Sequence, residues 1–169
     1  MKPQSQIPDG YLKEMQTLLQ STPFGATVEL GVYKGGSAFA LFEADPKRPL
    51  HLFDTFNGMP KDGDGWPQGC FNDTSVEAVK AFLPDAHYHV GFFPKTMPSD
   101  LKELSFVHID CDQGDTCAFA IALFYPLLLS GGVMAWDDYG FPQIKSAIHS
   151  YFGEPVNQTE LGIPWVRKP

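Results

Sequence analysis

Five short runs rich in apolar and β-branched residues, each followed by turn residues and most of them by a helical pattern, constrain this chain more than any other feature. The runs are ATVEL (Ala26–Leu30), LHLF (Leu50–Phe53), HYHV (His87–Val90), LSFVHI (Leu104–Ile109) and VMAW (Val133–Trp136). Between and around them, Tyr11, Leu12, Met15 and Leu18/Leu19 recur at helical spacing within Pro8–Gln20. Further helices are expected from about Ser37 to Glu43, over Ser75–Phe82 with Ser75 as N-cap, over Thr116–Leu129 and over Pro142–Phe152. Ser130-Gly131-Gly132 reads as the stop signal of the long apolar helix. Pro155–Val166 is suited to a closing antiparallel hairpin. Apolar strands alternating with helices predict an α/β fold: a Rossmann-like, mostly parallel seven-stranded sheet covered by helices on both faces.

The 169 residues fit a single domain spanning 1–169, long enough to bury a sound core without staples. Hydrophobic residues at 43% against charged residues at 19% exclude a disordered chain. The net charge of −8, with no Lys/Arg run longer than two, argues against a nucleic-acid partner, which needs a basic face. The first residues carry no apolar signal region, and Ala118–Leu129 is too short to span a bilayer. Cys70, Cys111 and Cys117 form no C-x-x-C pair, so a disulfide framework is not expected and the cytoplasm is.

In such a fold, ligands sit beyond the C-terminal ends of the strands, where strand order reverses. Acidic residues stand at or near four of those ends: Glu29 inside VELG, Asp54, Asp110 with Asp112, and Asp137 with Asp138. One acid there is an ordinary helix cap or loop residue; four on one rim point to a site.

Glu29 to Ser37 (ELGVYKGGS) is a strand, glycine turn and helix start, where backbone can approach a ligand and the helix N-terminus favours anions. The turn lacks G-x-G-x-x-G spacing and is a poor dinucleotide fingerprint. Asp54, roughly 20 residues on, is placed to accept hydrogen bonds from a ribose diol. Neighbouring parallel strands lie about 4.8 Å apart, so Asp110, Asp137 and Asp138 can share one hard divalent cation. With no His or Cys ligand nearby, Mg²⁺ or Ca²⁺ suits them better than zinc. Alternatively, Asp137 caps a loop and Asp138 is solvated. Asp112 faces the metal as a general base if the strand persists, or caps the following helix if the chain turns at Cys111. His51, His87 and His89 alternate with apolar residues and read as structural. Cys111 has no evident partner base for a nucleophilic role.

VELGVYKGGSAFAL, LFDTFNGMP, FVHIDCD and YPLLLSGGVMAWDDYG, in that order from about Val28 to Phe152, resemble the macrocin O-methyltransferase family of class I S-adenosylmethionine-dependent enzymes. The first segment is also similar to the ELG-x-Y-x-G-x-S stretch of catechol-type O-methyltransferases. The resemblance implies that Glu29, Gly31, Tyr33 and Ser37 surround the methionine part of the cofactor. It also implies that Asp54 binds the ribose and that Gly91-Phe92 border the adenine. Asp110, Asp137 and Asp138 match the family's metal-binding aspartates, and Asp112 its base. Two departures stand out: Gln113-Gly114-Asp115-Thr116 replaces an aromatic followed by Glu-Ser-Thr, and only one helix precedes the first strand.

The implied reaction is in-line methyl transfer to a hydroxyl of a small molecule, a sugar or secondary metabolite, with Mg²⁺ at the acceptor oxygen and Asp112 taking the proton. A homodimer is among the assemblies to be considered. The rival readings are a non-catalytic S-adenosylmethionine- or nucleoside-binding domain and a nicotinamide-dependent oxidoreductase.

Overall fold

The computed structural model describes residues 2–62 and 65–169. In chain order the elements are α1 (Asp9–Gln20), β1 (Ala26–Leu30), α2 (Gly36–Ala44), β2 (Leu50–Asp54), α3 (Val76–Lys80) and β3 (His87–Val90). These are followed by β4 (Leu104–Ile109), α4 (Gly114–Phe124), β5 (Leu128–Trp136), α5 (Pro142–Phe152), β6 (Asn157–Gln158) and β7 (Pro164–Arg167). The strands form one seven-stranded sheet in the order β3-β2-β1-β4-β5-β7-β6. β1 to β5 run parallel, and β7 joins β5 antiparallel with β6 beside it, which makes the expected closing hairpin.

Every residue of β1 and β4 is buried, as the central strands of a sheet covered on both faces must be. The alternation within β4 and β5 sorts side chains between the two faces. Phe106, Val133 and Ala135 meet Met15 and Leu19 of α1 and Leu41 of α2. Val107, Ile109, Met134 and Trp136 meet Ile121 and Phe124 of α4 and Ile144 and Ile148 of α5. Each large side chain so buried contributes about 1.5–3 kcal/mol.

The long apolar segment departs from its expected form. The α-helix stops at Phe124, because Pro126 in the following 3-10 turn cannot continue an i→i−4 ladder, and Leu128 already pairs with Leu104 as strand. Ser130-Gly131-Gly132 is therefore not a helix stop. It is an irregularity inside β5, where the register with β4 shifts between Leu104 and Phe106. Gly131 takes φ +82° there, and its amide donates to the Lys168 carbonyl (2.8 Å). Ser75 caps α3 as expected, accepting from the Ala78 amide. The histidines of β2 and β3 stack on one another, with His51 Nδ1 and His89 Nε2 3.0 Å apart. Burial pushes the His51 pKa down to about 4, which keeps it a neutral packing element near pH 7.

Strand order reverses between β1 and β4: β2 and β3 lie on one side of β1, while β4 and β5 lie on the other. Backbone pairing continues past the strands proper. Gly31 donates to Phe53 (2.9 Å), Asp110 to Leu30 (2.8 Å), Asp137 to Ile109 (3.0 Å) and Gly91 to Asp54 (2.9 Å). These bonds align the strand ends as one rim, and the residues just beyond them face a common space.

Candidate active site

A cavity of about 290 Å³ opens on that rim. Its walls include Gly31, Tyr33 and Ser37 from the first turn, Asp54 at the end of β2, Gly91 and Phe92 after β3, and Asp110, Asp112, Asp137 and Asp138. A larger, shallower groove of about 720 Å³ between α4 and α5 contains none of the strand-end acids. The smaller cavity is where the chemistry collects.

Gly31 is required by closeness as well as by conformation. Its φ is +92°, and a Cβ there would overlap the Asp110 carbonyl and stand 2.6 Å from its carbon. Ser37, 6% exposed, lies in the first turn of α2 and on the cavity wall.

Glu29 is placed otherwise than expected. It lies within β1, one residue before the strand end, and is absent from the cavity wall. Its side chain is fully buried and its Oε1 is 2.9 Å from Nδ1 of His108, its register partner on β4. Inside a strand a side chain points into a face of the sheet, and Glu29 is directed into the face that holds His108.

Asp54 has structural duties of its own. Oδ2 accepts from the amides of Val32 (2.7 Å) and Tyr33 (2.8 Å), and Oδ1 from that of Phe56 (2.7 Å). Each carboxylate oxygen takes about two hydrogen bonds, so Oδ2 is filled and one site on Oδ1 is left for a ligand hydroxyl. The acid thus holds the glycine turn in shape while facing the cavity.

Oxygens of Asp110, Asp112 and Asp138 come within 4.8 Å of one another, so they form a group able to hold a metal ion. Asp137 lies outside that trio but close to it: after burial, its charge is the strongest influence raising the Asp110 pKa, followed by Asp138, Asp112 and Glu29. The Asp110 carboxyl consequently sits well above the ordinary carboxylate range. Like charges crowded in a partly buried place are costly, and an all-oxygen set of this kind suits a hard divalent cation.

The backbone at Asp112 follows neither local alternative in full. β4 ends at Ile109 and the chain turns, with Asp112 in the left-handed region (φ +53°). That turn returns the carboxylate to Asp110. The cap position of α4 belongs to Gln113, whose side chain makes no capping bond. Gln113 instead accepts from the Thr116 hydroxyl (3.0 Å) and donates to the Lys61 carbonyl (3.2 Å). Cys111 has its thiol pushed well above its usual pKa by burial, which leaves it protonated and unreactive.

Sequence reasoning did not assign the segment Gln4–Ile7, which with Pro8 closes one side of the cavity. It crosses the start of α2, where a Cβ on Gly36 would stand 2.5 Å from Ser5 Cα and 2.6 Å from the Gln4 carbonyl oxygen. Lys2 ties its end to Glu43 (2.7 Å). The Gly-Gly pair at 35–36 was the available signal, but nothing local says what approaches it. Gly36→Ala should add little to the helix itself, since Gly36 is its first residue and the cost of glycine falls on helix interiors. It should displace this strap, so S-adenosylhomocysteine binds several-fold more weakly, with a modest fall in melting temperature as the strap backbone shifts. Calorimetry beside a thermal melt checks it; unchanged affinity would free the strap from any part in the cavity.

The sheet order defines a class: an α/β domain of the class I methyltransferase type, with antiparallel closing strands. Residues 28–139 match the family described as "Methyltransferase domain", and the chain belongs to that family. One relative, the 8-demethyl-8-(2,3-dimethoxy-alpha-L-rhamnosyl)-tetracenomycin-C 4'-O-methyltransferase of Streptomyces olivaceus, is 26% identical over 180 residues, covering 89% of this chain and 69% of the relative. Another, the mycinamicin III 3''-O-methyltransferase of Micromonospora griseorubida, is 28% identical over 174 residues, covering 85% and 68%. The structure of the O-methyltransferase NovP superposes with a TM-score of 0.80 at 20% identity, covering 97% of this chain and 81% of that one. The family supports S-adenosylmethionine-dependent methyl transfer over the nicotinamide-dependent reading, and both relatives are named as O-methyltransferases.

Proposed function

We propose that this enzyme methylates a hydroxyl of a small glycoside or related secondary metabolite, with Mg²⁺ held at the strand-end acids. The observation that carries the reading is the meeting of Asp110, Asp112 and Asp138 oxygens on the wall of the same cavity as the glycine turn. The two relatives are named for methylation of a rhamnosyl 4'-hydroxyl and of a mycinamicin 3''-hydroxyl, which favours a sugar ring as acceptor.

Gly31 lets the backbone approach the cofactor, and Tyr33 and Ser37 flank its methionine part. Asp54 offers the remaining site on Oδ1 to the ribose, and Gly91 and Phe92 border the adenine. Asp110 and Asp138 would hold the cation, with Asp137 adding to the field around it. A bound divalent cation would lower the pKa of the acceptor hydroxyl and fix its orientation. Asp112 would accept the hydroxyl proton on a carboxylate oxygen. Methyl transfer then forms the O–C bond as the C–S bond breaks, leaving S-adenosylhomocysteine. No helix among the described residues is long and apolar enough to cross a membrane.

Methyl transfer should stop in EDTA and return with added Mg²⁺, while S-adenosylhomocysteine binding survives. Because the cation relieves repulsion among the acids, Mg²⁺ alone should also raise the melting temperature. Full turnover in chelator, with no thermal response to Mg²⁺, would remove the metal from the reaction.

A further inference from the structure

Trp66 keeps 38% of its surface exposed, yet lines the cavity that contains the strand-end acids. Among the large apolar side chains left exposed in the described residues, only Trp66 and Phe92 face that cavity. Phe92 follows β3, at the end where the adenine is expected. Trp66 belongs to the opposite end: a Cβ on the preceding Gly65 would touch the Phe141 ring at 3.4 Å, three residues beyond Asp138.

The indole is also held. The Phe71 ring meets it edge-on with centroids 4.9 Å apart, and meets Tyr33 edge-on at 5.4 Å. The Tyr33 hydroxyl donates to Asp73 (2.7 Å), and the Thr74 hydroxyl donates back to the Tyr33 carbonyl, which fastens one flank to the glycine turn. On the other flank Lys61 pairs with Asp115 and its carbonyl accepts from Gln113 (3.2 Å). An apolar ring oriented by such contacts and still open to solvent is a surface arranged for a ligand.

We propose that the Trp66 indole is the stacking platform for the acceptor's ring and so determines which acceptors are methylated. This rests on the glycoside reading above. A flat apolar face beside a group of carboxylates suits a neutral pyranoside, which presents C–H groups to the indole and hydroxyls to the acids. Tight aromatic packing orients the ring; the carboxylates select the hydroxyl.

The test is calorimetry with methyl α-L-rhamnopyranoside in the presence of saturating S-adenosylhomocysteine and Mg²⁺. Wild type should bind the glycoside, Trp66→Ala should bind it about tenfold more weakly, and Trp66→Phe should keep most of the affinity because an aromatic face remains. S-adenosylhomocysteine affinity should match wild type in both variants. Trp66→Ala binding the glycoside as wild type does would overturn the platform alone. Joint loss of glycoside and S-adenosylhomocysteine would also overturn it, assigning Trp66 to the cofactor side. Wild type that binds S-adenosylhomocysteine but no glycoside would overturn the glycoside reading and the platform with it, while leaving the cofactor site intact.

Discussion

Gly31→Ala should melt well below wild type and fail to bind S-adenosylhomocysteine. At φ +92° any side chain is strained, and here the added Cβ meets the backbone of Asp110, not a yielding side chain. Neither partner can retreat cheaply. The Gly31 amide is bonded to Phe53 at 2.9 Å, and the Asp110 amide to Leu30 at 2.8 Å, so moving either breaks the ladder at the switch point. Strain of this kind with overpacking costs at least about 3 kcal/mol, which for a domain of this size is roughly 6–12 °C in melting temperature. Gly35→Ala is the control: its φ is +82°, but its Cβ would meet only the Val79 side chain at 2.9 Å. It should lose far less. Equal, small losses in the two variants would show that the close passage of β1 over Asp110 is unimportant to the fold.

Asp112→Asn should lower kcat by about 10²–10⁴-fold, the usual worth of a general base, with the melting temperature almost unchanged. Asparagine tolerates the left-handed backbone as well as aspartate does, so the φ of +53° survives the change. The closeness of Asp112 to Asp110 and Asp138 gives the experiment a second readout, the Mg²⁺ concentration for half-maximal activity. A lower kcat at an unchanged Mg²⁺ requirement marks the proton acceptor. A raised requirement that excess Mg²⁺ rescues moves Asp112 into the ligand set. A normal rate at ordinary Mg²⁺ removes it from the reaction.

Much of the scaffold was legible because it depends on short-range patterns. ATVEL and LSFVHI read as buried parallel strands, and both are buried throughout. The glycine turn after β1 and the cap at Ser75 occupy the positions their neighbours in sequence suggested. The error at Ser130-Gly131-Gly132 shows where such patterns fail: a serine and two glycines end a helix or bend a strand equally well. Pro126 and pairing with β4 and β7 selected the bend. Glu29 failed for a related reason. Its place in VELG suggested the rim, but His108 on the neighbouring strand takes its carboxylate inside the sheet.

The sequence by itself determined the alternation of strands and helices, and therefore that its acids would gather at the C-terminal rim of one sheet. Periodicities of 2 and 3.6 are local properties, readable without knowing which strands are neighbours. Only the tertiary structure decided how the gathered groups divide their work. Asp54 is shared between the glycine turn and the cavity because Val32, Tyr33 and Phe56 direct three amides at it. Asp112 joins Asp110 and Asp138 because a left-handed turn brings it back to the rim. The Gln4–Ile7 strap and Trp66 reach the cavity from segments with no periodic pattern at all. Such placements arise from contacts between residues distant in sequence, whose energies no local pattern records.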